Sequence, residues 1–315
     1  MLDPLIASRA VHFASSLVVA GIAIFSTFVA QSVRLTSLAA RRQQKLMLGA
    51  LALAVFSGAT WLLFLASRIA QTSVAEAIGD GTAWSVLTET QFGRVWEARF
   101  AVAILLCCAW LVLPVRQTRI SYLSLAQAAL ATAFVGMLAW SGHAAGTLGF
   151  GGLLHFGGDV FHLVTAAAWV GGLLPLLMFL SPRIQGSEPT LANCYRVLRR
   201  FSVLAAWSVA LLAGSGALNT WFMTNGLRNF LGTEYGDLVL IKIVLFVVLL
   251  SFGAANRYWF TPQLLPIGAT TGENSRSLRL LCASVVIEIT LGLVVICVVA
   301  VLGQLPPPGH EHHMD

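Results

Sequence analysis

The chain has 315 residues, of which 57% are hydrophobic and only 10% charged, and its mean hydropathy is +0.82. A water-soluble domain carries about a quarter charged residues, so this composition excludes a soluble globular enzyme. The net charge of +6 is a matter of membrane topology and not of nucleic-acid binding.

Apolar runs of roughly 20 residues, enough for a helix to cross the hydrocarbon of a bilayer, recur along the chain. They fall at about 10–31, 46–67, 97–115, 121–141, 157–180, 201–223, 238–260 and 279–303. The fold class they predict is an all-α polytopic membrane protein with eight transmembrane helices. Residues 1–4 lack a basic segment and the first span is too long for a cleaved leader, so no signal peptide is expected.

Span one opens with Arg9 and His12 and reaches Gly21. A basic connection follows, with Arg34, Arg41, Arg42 and Lys45. Span two contains Ser57-Gly58-Ala59-Thr60-Trp61, small residues that permit close helix approach. The connection at about 68–95 is read as a loop without structure of its own. It leads into span three, where Trp96 suits the interfacial belt and Arg99 must find a partner or snorkel.

Span four carries Met137 and ends in Trp140-Ser141-Gly142-His143. Span five begins with His155, Asp159 and His162, which share a helical face by their spacing of four and three. Span six holds Ser215-Gly216-Ala217 and then Asn219. Span seven places Lys242 inside the membrane; partial snorkelling is expected of Arg99 and extends as a reading to Lys242. Span eight holds Glu288, whose readings are pairing with a cation, relaying protons, or hydrogen bonding to Asn219. The chain closes on a tail with His310, Glu311, His312, His313 and Met314.

Basic residues fall on alternate connections. Beside those before span two are Arg116 and Arg119, then Arg183, Arg196, Arg199 and Arg200, then Arg257, Arg276 and Arg279, making 13 of the 19 lysines and arginines. The positive-inside rule then sets both termini on the periplasmic side of a bacterial inner membrane. The five cysteines show no CxxC spacing and read as small apolar fillers, with a thiolate copper relay as the lesser alternative.

The two halves resemble each other. His12 is followed nine residues on by Gly21, and His162 nine on by Gly171. Gly93 precedes Arg99 by six, as Gly236 precedes Lys242. Spans two and six share Ser-Gly-Ala. These matches predict a parallel four-plus-four repeat about an axis along the membrane normal. The divisions are 1–148, 149–305 with the core of the chemistry, and a His-rich tail at 306–315. His12 and His162 would then be equivalent and face each other.

Imidazole is a good ligand for copper, zinc and iron, and thioether for Cu(I). One histidine alone more often caps a helix or bonds a carbonyl. Four gathered on one side (His12, His143, His155 and His162) make a metal site the stronger reading. Met137 and Asp159 are accessory candidates, and so is the tail through His310, His312, His313 and Met314 as a capture arm. Arg99, Asn219, Lys242 and Glu288 form a buried polar set read as structural or coupling groups.

The chain resembles the CopD family of bacterial inner-membrane copper proteins along essentially its whole length. The resemblance lies in GRVWEAR (93–99), SGHA (141–144), HLVTAAAWVGGLLPL (162–176), the Asn219 segment, YGDLVLIK (235–242), Asn256-Arg257, and Glu288 ahead of Leu305-Pro306. It implies handling of copper, as Cu(I) or Cu(II), in homeostasis, uptake or resistance, with a CopC-like periplasmic carrier and membrane lipid as partners. The alternative is a b-type haem oxidoreductase with His12 and His162 as axial ligands. A third is a scaffold that only docks a copper carrier.

Overall fold

The computed structural model describes residues 3–31, 33, 36–112, 120–141, 149–181, 190–224, 232–264 and 271–305. Among them eight helices are long and apolar enough to cross a membrane: Pro4–Val29, Leu38–Ala70, Gln91–Val112, Tyr122–Ser141, Gly151–Leu180, Leu191–Phe222, Glu234–Leu264 and Arg276–Leu302. No strand occurs among the described residues. These are spans one to eight below.

Several spans outrun the apolar stretch that reveals them. Span two is 33 residues long and takes Arg41, Arg42 and Lys45 into its helix. Charged residues with long stems are good helix formers, so the helix continues where the hydropathy stops.

Polar caps decide where the helices begin. Asp3 accepts from the Leu5 N–H at 2.9 Å ahead of Pro4 at the first helical position. Thr36 accepts from the Ala39 N–H at 3.1 Å, and Thr233 from the Gly236 N–H at 3.0 Å. Each satisfies a backbone donor that the helix start leaves orphaned.

The connection after span two departs from the structureless loop expected of it. It folds into two short helices, Val74–Gly79 and Thr82–Glu89. Ser73 and Glu76 form a capping box, and the Ser73 N–H and hydroxyl hold the Glu76 carboxyl below its ordinary range. The Ser-x-x-Glu pattern was there to be read, but the segment lacks the apolar run that marks a helix by hydropathy.

Spans one and five form the centre of the bundle: 67% and 61% of the residues in an 18-residue apolar stretch of each are buried, against 17% for span six and 11% for span seven. One apolar cluster joins residues of spans one to four, including Ile22, Met47, Trp61, Trp96, Leu106 and Phe134. A second joins the end of span one to spans five to eight through Phe25, Trp169, Leu176, Phe201, Leu249 and Leu281. The two central helices cross at Gly21 and Gly171. A Cβ on Gly21 would stand 2.2 Å from the Gly171 carbonyl carbon, and one on Gly171 would stand 2.1 Å from the Leu17 oxygen. Only glycine allows the backbones so near.

The two chain ends meet at one end of the bundle. The Arg9 guanidinium donates to the Gly303 carbonyl at 2.9 Å. Arg68 donates to Asp3 at 2.5 Å and to Gln304 at 2.8 Å. These bonds lace spans one, two and eight together.

Because both backbones at the crossing would have to yield, Gly171→Ala is expected to destabilise the bundle by about 1–3 kcal/mol, the range of an overpacked core. Gly49→Ala, where nothing lies within 4 Å of the added carbon, is the matched control and should keep or raise stability, by up to about 1 kcal/mol of helix propensity. Thermal unfolding of the two purified variants in detergent reads the difference.

Candidate functional site

His12 is 1% exposed in the first half of the bundle. Its Nδ1–H donates to the Ala54 carbonyl at 2.8 Å, with the Ser57 hydroxyl at 3.3 Å. A carbonyl only accepts, so this bond fixes the tautomer and leaves Nε2 with a lone pair. Arg99 fills it, donating from Nη2 at 2.8 Å. Trp61 and Trp96 close around the ring at 5.7 and 4.7 Å between centroids. Gly58 is obligatory beneath them, since a Cβ there would meet the Trp96 ring at 2.2 Å.

Arg99 does not snorkel as expected but is 1% exposed. Its guanidinium donates to the Phe134 carbonyl and to Ser16 at 3.3 Å, and it lies over the Phe134 ring at 4.3 Å. Its partners are neutral acceptors and aromatic faces, which hold the cation without a carboxylate.

His162 sits in a similar frame with one difference. The Ser215 hydroxyl donates to the Leu211 carbonyl at 2.7 Å, so its oxygen accepts from the His162 Nδ1–H at 3.0 Å. That is the same tautomer as His12. Among the described residues no arginine bonds the second nitrogen, which leaves its Nε2 lone pair available as a ligand. Lys242, on span seven, lies within electrostatic reach of His162 and of Asp159, but it makes no close bond to either among the described residues.

Further rungs join spans five and six. Asn219 donates to the Asp159 carboxylate at 2.5 Å, and its own side-chain oxygen is buried without a partner among the described residues. The His155 ring is 3% exposed and stacks on Phe222 at 5.1 Å. His155, Asp159 and His162 thus form a polar ladder about 10 Å long, at 1.5 Å per residue. Span six provides Phe222, Asn219 and Ser215 opposite them.

Glu288 is 1% exposed. The Asn256 amide donates to it, so the Asn219 pairing that spacing allowed is replaced by one to span seven. Span seven leaves the α-helical register there, in a π-helical turn over Asn256–Phe260. Such turns free backbone groups and often mark functional positions. A cavity of about 290 Å³ lies beside the pair, lined by Trp169, Ser202, Gly253 and Arg257 among others.

The imidazoles of His12 and His162 do not serve each other; each is bonded to neighbouring spans on its own side of the central crossing. Met137 is half-buried at the start of the 3-10 turn that closes span four. His143, His310, His312, His313 and Met314 lie outside the described residues. Among the described residues no three His, Cys, Asp or Glu side chains gather closely enough to hold a metal ion. Ser57, Ser215 and Asn256 are hydrogen-bond partners of the candidate residues that sequence reasoning missed. For the two serines the signal was the repeated Ser-Gly-Ala, which reads equally well as a close-packing motif; Asn256 lies outside it.

The difference between the two histidines can be measured. His12→Ala leaves the buried Arg99 donor unpaired and is expected to cost about 1–3 kcal/mol. His12→Ala/Arg99→Leu should cost less than the sum of the single changes, because the stranded donor is gone. Thermal unfolding of the three variants beside the parent completes the cycle.

Two family models match the chain. The one described as Copper resistance protein D-like, N-terminal domain, covers residues 1–153, and Copper resistance protein D covers residues 195–302. Inner membrane protein YebZ of Escherichia coli (strain K12) is 28% identical over 302 residues, covering 96% of this chain and 98% of the relative. Copper resistance protein D of Pseudomonas syringae pv. tomato is 28% identical over 255 residues, covering 77% and 80%. Copper transport protein CutJ of Bacillus subtilis (strain 168) is 30% identical over 282 residues, covering 85% of this chain and 47% of the relative. No solved structure matches.

Proposed function

This chain belongs to the copper resistance protein D family, and we propose that, as a multi-pass inner-membrane protein of copper homeostasis, it accepts copper on His162 and passes it inward through the second half of the bundle. The observation that carries the reading is the Nε2 lone pair of His162, freed because Ser215 takes the other ring nitrogen. A second-sphere bond of this kind orients a ligating imidazole and raises its basicity.

Asp159 supplies the negative charge that a copper ion needs in a medium of low dielectric. Lys242 is its resident counter-ion until the metal arrives. Copper approaching His162 and Asp159 displaces the ammonium electrostatically, and its return helps to release the ion. The Glu288–Asn256 pair beside the cavity is the next polar station toward the arginine-rich end. His155 leads in from the end that holds the termini, which in this reading faces the periplasm. There His143, Met137 and the histidine tail would collect copper, free or delivered by a CopC-like carrier.

The four-plus-four repeat fits this division. Position for position, His12, Ser57 and Arg99 match His162, Ser215 and Lys242. In the first half the arginine reaches the imidazole and seals it; in the second the shorter ammonium stops short. His12 is therefore assigned to structure. Bis-histidine haem ligation through His12 and His162 would require breaking the Arg99 bond, so haem does not enter the reading.

The test is copper stoichiometry and affinity on the purified full-length chain, measured by metal analysis and chelator competition. His162→Ala should lower affinity at least tenfold with its thermal transition intact. His12→Ala should lose stability but keep its copper per folded molecule. Retained affinity in His162→Ala, or lost copper in a well-folded His12→Ala, would overturn the assignment. A Soret band in the parent protein would restore the haem alternative.

A further inference from the structure

The copper reading leaves the arginine-rich end of span six unused. An open groove of about 850 Å³ runs there between the end of span one and the first half of span six. The wall from span six includes Arg196, Arg199, Arg200, Val203 and Trp207. Their spacing of three and four sets them in one stripe on the helix. Phe28 of span one stands on the other side.

The stripe changes character along its length. Arginine occupies the helix start, and past it the stripe is apolar and open, with Val203 48%, Trp207 69% and Phe28 43% exposed. From Arg196 to Trp207 it measures about 16 Å at 1.5 Å per residue. One leaflet of a bilayer has about 15 Å of hydrocarbon, half of the core thickness. The groove thus offers cationic forks at headgroup depth and, from Val203 to Trp207, an apolar channel about 6 Å long that leads into the leaflet, and among the described residues no acidic side chain lines it.

We propose that this groove binds an anionic phospholipid. Its phosphate lies on Arg196 and Arg199, and an acyl chain follows Val203, Trp207 and Phe28. The guanidinium fork matches phosphate oxygens bidentately, and basic pockets between membrane helices recognise acidic headgroups. The bound lipid would cover the seam where Phe25 meets Phe201 at 6.2 Å between ring centroids, and so fasten span one to the second half of the bundle.

The test uses the full-length chain in detergent, with phosphatidylglycerol or phosphatidylcholine of the same acyl chains added, or inorganic phosphate. Native mass spectrometry reads retained lipid, and the thermal transition reads stabilisation. Phosphatidylglycerol should remain bound and raise the transition by several degrees, while phosphatidylcholine and phosphate should do neither. Arg196→Gln/Arg199→Gln should weaken phosphatidylglycerol retention about tenfold without losing copper binding. Arg41→Gln/Lys45→Gln, basic residues outside the groove, should retain the full response. Equal responses to the two lipids, an undiminished response in Arg196→Gln/Arg199→Gln, or an equal loss in Arg41→Gln/Lys45→Gln would overturn the proposal. So would a shift reproduced by phosphate alone, or concentration-dependent dimers that bury this face in place of lipid.

Discussion

Gly21 and Gly171 let two helix backbones touch, and the rest of the bundle is arranged around that contact. Lipid tails are as apolar as leucine, so burying apolar surface gives little reason for one membrane helix to prefer another. What remains is close packing, and nothing packs more closely than glycine on backbone. A Cβ on Gly171 would fall 2.1 Å from the Leu17 oxygen, so the approach of spans one and five depends on its absence. The six other spans gather in two sets on either side of that crossing, each with its own apolar cluster. Span one serves both, through Ile22 in one cluster and Phe25 in the other.

Hydropathy makes this architecture largely legible in advance, because a spanning helix must hide its backbone polar groups from lipid and can do so only over a long apolar run. The ends are less legible. Arg41 and Arg42 lie in helix although no apolar run includes them, and the helices after Ser73 are held by a capping box and lack apolar length. Partner identity is the least legible layer. His12 meets Arg99 at a separation of 87 residues, Asp159 meets Asn219 at 60, and Glu288 meets Asn256 at 32. Spacing shows which side chains share a helix face. It does not show which neighbouring helix that face meets, and so Glu288 and Asn219 remained a plausible pair until the spans were placed.

The two histidines show how little chemistry separates a structural imidazole from a candidate ligand. Both have the same tautomer, fixed by a bond from Nδ1 to a neighbouring helix. A guanidinium, long and forked, reaches Nε2 of His12 while also spanning Ser16 and the Phe134 carbonyl. Lys242, on the side of His162, is a point charge on a flexible stem and lies within electrostatic reach of Asp159. Among the described residues no such fork reaches the second nitrogen of His162.

A membrane protein that moves an ion needs one part that does not yield and one part that does. The first half is closed around His12: both ring nitrogens are bonded, to Ala54 and Arg99, and the ring is walled by Trp61 and Trp96. The second half keeps slack. Its outer helices are the least buried of the bundle, span seven breaks into a π-helical turn at Asn256, and a cavity stands beside Glu288. Polar groups in such a setting can exchange partners at low cost because each already has an alternative within reach: Asp159 has Asn219 and Lys242, and Glu288 has Asn256 and the cavity. Among the described residues, Asp159 and Glu288 of the second half are thus carboxylates that can release one partner without being left alone in lipid.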